Sequence, residues 1–137
     1  MRSSVLSLAR LAAAAALLAV PLSFERPAAA PPTVARVWHG RTPNAKADAY
    51  ATYLAESIRK FGTIPGNLGY QMMREQVGGE THFMVVSYWT SRDAIHAYAG
   101  ADIRKTRALP RDAEFLIAPE ATVMNYDLLV NDVGPGK

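Results

Sequence analysis

Three histidines, six tyrosines and two tryptophans are the side chains in this sequence best suited to proton transfer or to walling an aromatic site. His39 ends the strand-like run Val34 to His39, where it alternates with Val37 and Ala35 while Trp38 alternates with Arg36. One face of that strand offers a histidine and the other an arginine and a tryptophan, and the spacing leaves open which face points inward. An imidazole titrates near neutrality and can take a phenolic proton, which makes His39 a candidate general base. Tyr50, Tyr53, Tyr70, Tyr98 and Trp89 are candidates for the walls around a flat ligand, with Trp38 added if its face turns inward. Tyr98 lies on the apolar stripe of a helix, and a buried phenol needs a partner, which a ligand or Asn125 could supply.

The other histidines read as surface residues. His82 begins a strand beside Gly78-Gly79, and His96 falls off the stripe made by Ala94, Ile95, Tyr98 and Ala99. No two histidines share a helix face or close spacing, and no carboxylate pair completes a ligand set, so no dedicated metal site is expected. There is no Gly-rich dinucleotide fingerprint and no P-loop.

Composition narrows the classes further. A chain of 137 residues is one domain of ordinary size, long enough to bury a core. The absence of cysteine removes disulfides, thiolate metal sites and cysteine nucleophiles together. Of the formal charge of +3, Arg2, Arg10 and Arg26 against Glu25 place two units in the first thirty residues, so nucleic acid is not indicated as a partner. Those residues 1–30 hold arginines, serines and an Ala/Leu run from Leu11 to Val20, the pattern of a secretory leader. Its apolar run is too short for a stable membrane span. Pro31-Pro32 follow the small residues Ala28 and Ala30, a poor cleavage site, and an organelle presequence would share the same composition. A genuine leader implies export to the periplasm or beyond the cell, and otherwise the chain is cytoplasmic.

The elements that must position these side chains follow in order. Residues 31–33 link the leader to a folded body over 34–130, and a loose tail occupies 131–137. A strand over Val34 to His39 leads to a helix opened by Thr42 as cap and Pro43 at the first helical position. Its apolar face carries Ala47, Tyr50, Leu54, Ile58 and Phe61. Pro65-Gly66-Asn67 reads as a turn into a strand over 69–77, and Gly78-Gly79 signals a hairpin to a strand over 81–89. That strand is apolar on both faces and turns directly into a helix whose expected capping box is Thr90 with Asp93. A short helical turn after Pro110 and a last strand over Thr122 to Val130 complete the chain. The order β-α-β-β-α-β predicts a ferredoxin-like α+β fold, with two helices across one face of a four-stranded antiparallel sheet. Two helices cover one face only, so the other is expected to meet a second copy in a homodimer.

Ala-Arg-Val-Trp-His-Gly in the first strand, Pro-Gly-Asn-Leu-Gly before the second, Ser-Tyr-Trp-Thr-Ser-Arg-Asp-Ala-Ile-His-Ala-Tyr-Ala-Gly and the late Asn-Tyr-Asp together resemble the antibiotic biosynthesis monooxygenase family. The resemblance spans roughly residues 34–130 and implies a dimeric α+β barrel with a pocket between sheet and helices in each subunit. Members oxidise aromatic quinols without a cofactor, degrade haem, or have no established activity. The resemblance thus implies a cofactor-independent monooxygenase with O₂ as co-substrate and a small aromatic or quinol-like substrate, or else a non-catalytic ligand-binding or stress-associated barrel. Its implied site joins His39 as base and Tyr98 in one pocket, with Trp38, Tyr50, Tyr70, Trp89 and Asn125 around the substrate. The haem-degrading relatives use an asparagine, a tryptophan and a histidine at positions that fall near His39, at Tyr98 and near Ala108. All three differ here, which disfavours that mechanism.

Overall fold

The structure is a computed structural model that describes residues 21–24 and 30–133. The expected leader over 1–30 lies almost wholly outside the described residues, as do the last four residues of the tail. Among the described residues no helix is long and apolar enough to cross a membrane.

Two long central strands set the frame. β1 (Val34–Pro43) and β3 (Glu80–Trp89) pair antiparallel over their full lengths, from Val34 opposite Trp89 to Pro43 opposite Glu80. β2 (Asn67–Val77) joins β3 through the expected hairpin, in which Gly78 takes the left-handed conformation that glycine adopts without steric cost. β4 (Met124–Asp127) pairs antiparallel with Val34 to Val37, giving the order β2-β3-β1-β4. α1 (Ala47–Ile58) and α2 (Arg92–Ala99) cross one face of this sheet. The result is the ferredoxin-like α+β fold that the element order predicts.

Strand alternation divides the side chains. Thr81, Phe83, Val85, Ser87 and Trp89 of β3 are buried under the helices, while His82, Met84, Val86 and Tyr88 look the other way and remain partly exposed. Tyr50, Leu54 and Ile58 of α1 and Ile95 and Ala99 of α2 close over the buried row. Aromatic edges meet faces in this core: Tyr50 and Phe83 lie 5.3 Å apart at 82°, and Phe61 and Trp89 lie 6.3 Å apart at 85°. A four-residue helix, α3 (Asp112–Phe115), pins the returning chain through Phe115.

Local boundaries depart from the sequence pattern where strand pairing outweighs capping chemistry. β1 continues past His39 to Pro43, because the hairpin supplies β3 partners for Gly40, Arg41, Thr42 and Pro43. Thr42 is therefore a strand residue and not a helix cap. A 3-10 turn over Asn44–Lys46 precedes α1, and no side chain caps either element. β2 begins at Asn67 with a register shift before Gly69, so Asn67 belongs to a strand and not to the turn alone. The cap of α2 is Ser91, whose hydroxyl accepts from the Ala94 amide, and the Thr90 amide is already committed to the Gly66 carbonyl. β4 stops at Asp127, since β1 begins opposite it at Val34.

Thr42 gives a prediction whose sign separates the two roles. Its side chain is fully buried and its hydroxyl has no hydrogen-bond partner among the described residues. Thr42→Val should therefore stabilise the fold by about 1 kcal/mol, by removing an unpaired buried hydroxyl while keeping the branched shape. A cap would lose about 1 kcal/mol by the same change. Urea denaturation of the two proteins gives the sign directly.

Candidate functional site

A pocket lies between the sheet and its two helices, built from the inward face of β1, the apolar stripes of α1 and α2, and the segment leading into α3. Register chooses the face of β1 that the sequence left open. Arg36 stands opposite Ser87 and Trp38 opposite Val85, both on the helix-covered side, so the arginine and tryptophan point inward. Gly40 makes room for the indole: a Cβ there would sit 2.4 Å from the Trp38 ring. α1 contributes Tyr50, Leu54 and Ile58, α2 contributes Tyr98, and the returning chain contributes Arg107, Leu109 and Asp112. The cavity measures about 40 Å³. That admits water, which needs about 10–15 Å³ per molecule, but falls well below the roughly 300 Å³ at which ligand pockets begin.

The walls are aromatic and the polar groups are few and strongly held. Arg36 is 4% exposed. One Nη donates to the Ile103 carbonyl and, at 3.3 Å, to Oδ1 of Asn125; the other donates to the Lys105 carbonyl at 3.0 Å. Among the described residues no carboxylate forms an ion pair with it, although the charge of Asp102 favours its cation from further away. Burial lowers its pKa from the ordinary arginine value, against the opposing pull of Tyr98; Arg107 adds to the lowering. A guanidinium remains cationic through such a change. Three cations ring Tyr98: Arg36, Lys60 and Arg107 lie 5.8, 5.7 and 5.7 Å from its ring centroid. Burial raises the Tyr98 pKa, with Arg36 and Arg107 opposing.

Across the pocket, Asp112 is 6% exposed and joins two elements. Its Oδ1 accepts from the Tyr50 hydroxyl at 3.0 Å and its Oδ2 from the Leu109 amide at 2.8 Å. Burial, then the charge and hydrogen bond of Asp112, push the Tyr50 pKa well above its ordinary value. Since Tyr50 releases its proton less readily folded than unfolded, its contribution is complete below pH 10 and is lost as pH rises above it. Wild type should lose about 1.4 kcal/mol of stability per pH unit more steeply than Tyr50→Phe above pH 10. Denaturant titrations at pH 9, 10 and 11 test this, and parallel curves would refute it.

The structure gathers some of the expected site residues and disperses others. Trp38, Tyr50 and Tyr98 line the pocket. Trp89 does not: it is fully buried beneath the helices, with its indole N–H donated to Ser87 Oγ at 2.9 Å. Tyr70 lies on β2 against Phe61, outside the lining, and Tyr53 accepts from the Arg111 amide. Asn125 also lies outside the lining and serves Arg36 and the Ile103 carbonyl, so it is not the partner of the Tyr98 hydroxyl. His39 projects from the opposite face of the sheet, because it alternates with Trp38. His39 and Tyr98 therefore do not share a pocket, and an imidazole on the far face cannot reach a proton held there. His82 is half-buried and paired with His39, and His96 is exposed, with Nδ1 2.8 Å from the Gly100 carbonyl. Arg107 and Asp112 are charged pocket residues that sequence pattern alone passed over, one in a charge-rich run and the other in a helical turn.

The pocket residues do not fit a haem. Among the described residues no histidine, cysteine or methionine lines it. Its two tyrosines are poor iron ligands, since burial favours their protonated forms.

The family model described as "Antibiotic biosynthesis monooxygenase" matches residues 34–106. No curated protein matches the chain. Among solved structures, a protein of unknown function from Nitrosomonas europaea aligns with a TM-score of 0.56 at 17% identity, over 77% of this chain and 97% of that one. The heme-degrader MhuD from Mycobacterium tuberculosis, with two hemes bound in its active site, aligns with a TM-score of 0.51 at 24% identity, over 74% of this chain and 99% of that one. Likenesses at such identities establish the shared fold.

Proposed function

The chain belongs to the antibiotic biosynthesis monooxygenase family, and from that premise we propose that it oxidises a small aromatic or quinol-like compound with O₂ as co-substrate and without a bound cofactor. The observation that carries this reading is Arg36, a buried guanidinium without a carboxylate partner among the described residues, set in aromatic walls. Such a site favours a flat substrate in its anionic form. Arg36 and Arg107 lower the cost of the substrate oxyanion, and Asp112, the one carboxylate in the lining among the described residues, receives the proton in place of His39. The electron-rich anion then passes an electron to O₂, the resulting pair combines at carbon, and the peroxide takes back the proton held by Asp112 to become a hydroperoxide. Loss of water leaves a carbonyl, so one oxygen atom enters the product and the other leaves as water. The apolar walls of Leu54, Ile58 and Val85 keep bulk water from the intermediates.

A second reading, a ligand-binding or stress-associated barrel without turnover, is favoured by one observation. Both oxygens of Asp112 already accept hydrogen bonds, as in a structural carboxylate. Oxygen-electrode traces with a panel of quinols and anthrone-like phenols separate the two. Turnover predicts O₂ loss matching product, with one atom of ¹⁸O incorporated. Saturable binding without O₂ loss would leave only the second reading.

We also propose that the chain forms a homodimer through the sheet face that the helices leave bare, where Met84, Met124 and Tyr126 are 39, 47 and 51% exposed. Light scattering at micromolar concentration tests this, and a folded monomer would overturn it.

A further inference from the structure

The three cations around the Tyr98 ring are not equivalent. Arg36, 4% exposed, is the inner one and is held by the carbonyls of Ile103 and Lys105. Lys60 and Arg107 are exposed and stand at the mouth of the pocket, each 5.7 Å from the ring centroid. Their approach is built into the fold. Lys60 precedes Phe61, which is buried and meets the Tyr98 ring edge-on at 5.0 Å and 72°, so the 3-10 turn Arg59–Thr63 is anchored beside that ring. Arg107 follows Thr106, whose amide donates to the Ala121 carbonyl at 3.0 Å and whose hydroxyl donates to the Glu120 carbonyl at 2.8 Å. Arg41, Arg74, Arg92 and Arg111 each pair with a carboxylate, whereas neither Lys60 nor Arg107 does among the described residues.

A ligand with one negative charge leaves this arrangement unbalanced. Both oxygens of Asp112 are committed to Tyr50 and Leu109, and once Asp112 holds the substrate proton, three cations face a single phenolate. Asp102 acts on Arg36 only from further away, and Arg107 opposes the Arg36 cation. Like charges gathered on one ring repel, and a second negative group between the outer two relieves them. Lysine and arginine lying against a ring keep N–H donors free at their outer edges. A carboxylate on the arene suits that place. It lies flat with the ring, accepts from the guanidinium fork in a bidentate manner, and at an exposed mouth keeps part of its hydration. We propose that the ligand of this pocket is a phenol bearing a carboxylate, with its phenol oxygen toward Arg36 and its carboxylate between Lys60 and Arg107. The inference rests on the proposed reading of the pocket for the phenol end, and not on turnover.

Anaerobic calorimetric titration of the full chain compares 6-hydroxy-2-naphthoate with 6-hydroxy-2-naphthamide, which has the same shape and no charge. The acid should bind about 10-fold more tightly, as two charge-assisted contacts at an exposed mouth allow. Lys60→Gln and Arg107→Gln should each lower the acid-to-amide ratio by about 2- to 5-fold, and the double variant should remove the preference. A general loosening of the pocket weakens both ligands alike and leaves the ratio in place. Arg59→Gln removes the same charge one residue away and should not change the ratio. Circular dichroism checks that each variant is folded. The proposal is overturned if the acid binds no more tightly than the amide, if the preference survives the double variant, or if Arg59→Gln lowers it as much as Lys60→Gln does; none of these touches the reading of the pocket as an aromatic site. Absence of binding by both ligands overturns that reading and the proposal together. Acid-selective binding without O₂ uptake from carboxylated quinols supports the proposal and removes turnover alone.

Discussion

Arg36→Met should reduce turnover of an anionic aromatic substrate by about 10²- to 10³-fold, the usual consequence of deleting one preorganised group that stabilises developing negative charge. Methionine fills a similar volume with a flexible apolar chain, so the pocket keeps its shape while losing the cation. Arg36→Lys separates charge from geometry. Lysine restores a positive charge but not the planar fork that reaches the carbonyls of Ile103 and Lys105, and partial recovery is the expected result. Steady-state O₂ uptake gives the ratio, and far-UV circular dichroism establishes that both variants fold. Full activity in Arg36→Met would remove the central support for an anionic substrate.

Trp89→Ala should cost about 3–5 kcal/mol of stability, the range for deleting a large buried aromatic. The indole is fully buried, packs edge-on against Phe61 and near-parallel to Tyr98, and satisfies its own N–H through Ser87. Trp38→Ala provides the contrast. Trp38 is only partly buried and lines the pocket, so its loss should weaken substrate binding more than it lowers stability. Denaturant midpoints and substrate titration on both variants test the assignment. A Trp89→Ala protein of unchanged midpoint would show that the core closes elsewhere.

These two tryptophans show how far sequence reaches. Both sit in strand patterns beside chemistry-bearing neighbours, and nothing local distinguishes them. Pairing does: Val34 opposite Trp89 fixes the register, and every later residue of β1 then has a determined face. The element order was legible because each break had its own chemistry, such as Gly78-Gly79 for the hairpin and Gly100 after α2. Thr42 was not, since a threonine before a proline satisfies helix-start rules and strand geometry equally well. Tyr98 was legible from helical periodicity, whereas Asp112 enters the site only because Tyr50, 62 residues earlier, donates to it. The meeting of His39 and His82 was likewise invisible, since cross-strand diagonals leave no spacing signature.

The small cavity has a kinetic consequence. With about 40 Å³ of free space, the resting conformation is narrow for the aromatic ring of the proposed substrate, whose association would then draw on a rarer, wider state. The apparent dissociation constant is then the intrinsic one divided by the fraction of molecules in that state, and a molecule open one per cent of the time binds about a hundredfold more weakly than its contacts warrant. Arg107 and Leu109 lie on the irregular segment before α3, where displacement breaks no strand pairing. Substitutions at Ala108, on that segment but outside the lining, should therefore alter association rates without touching the substrate, and bound ligand should slow its own escape by holding that segment closed.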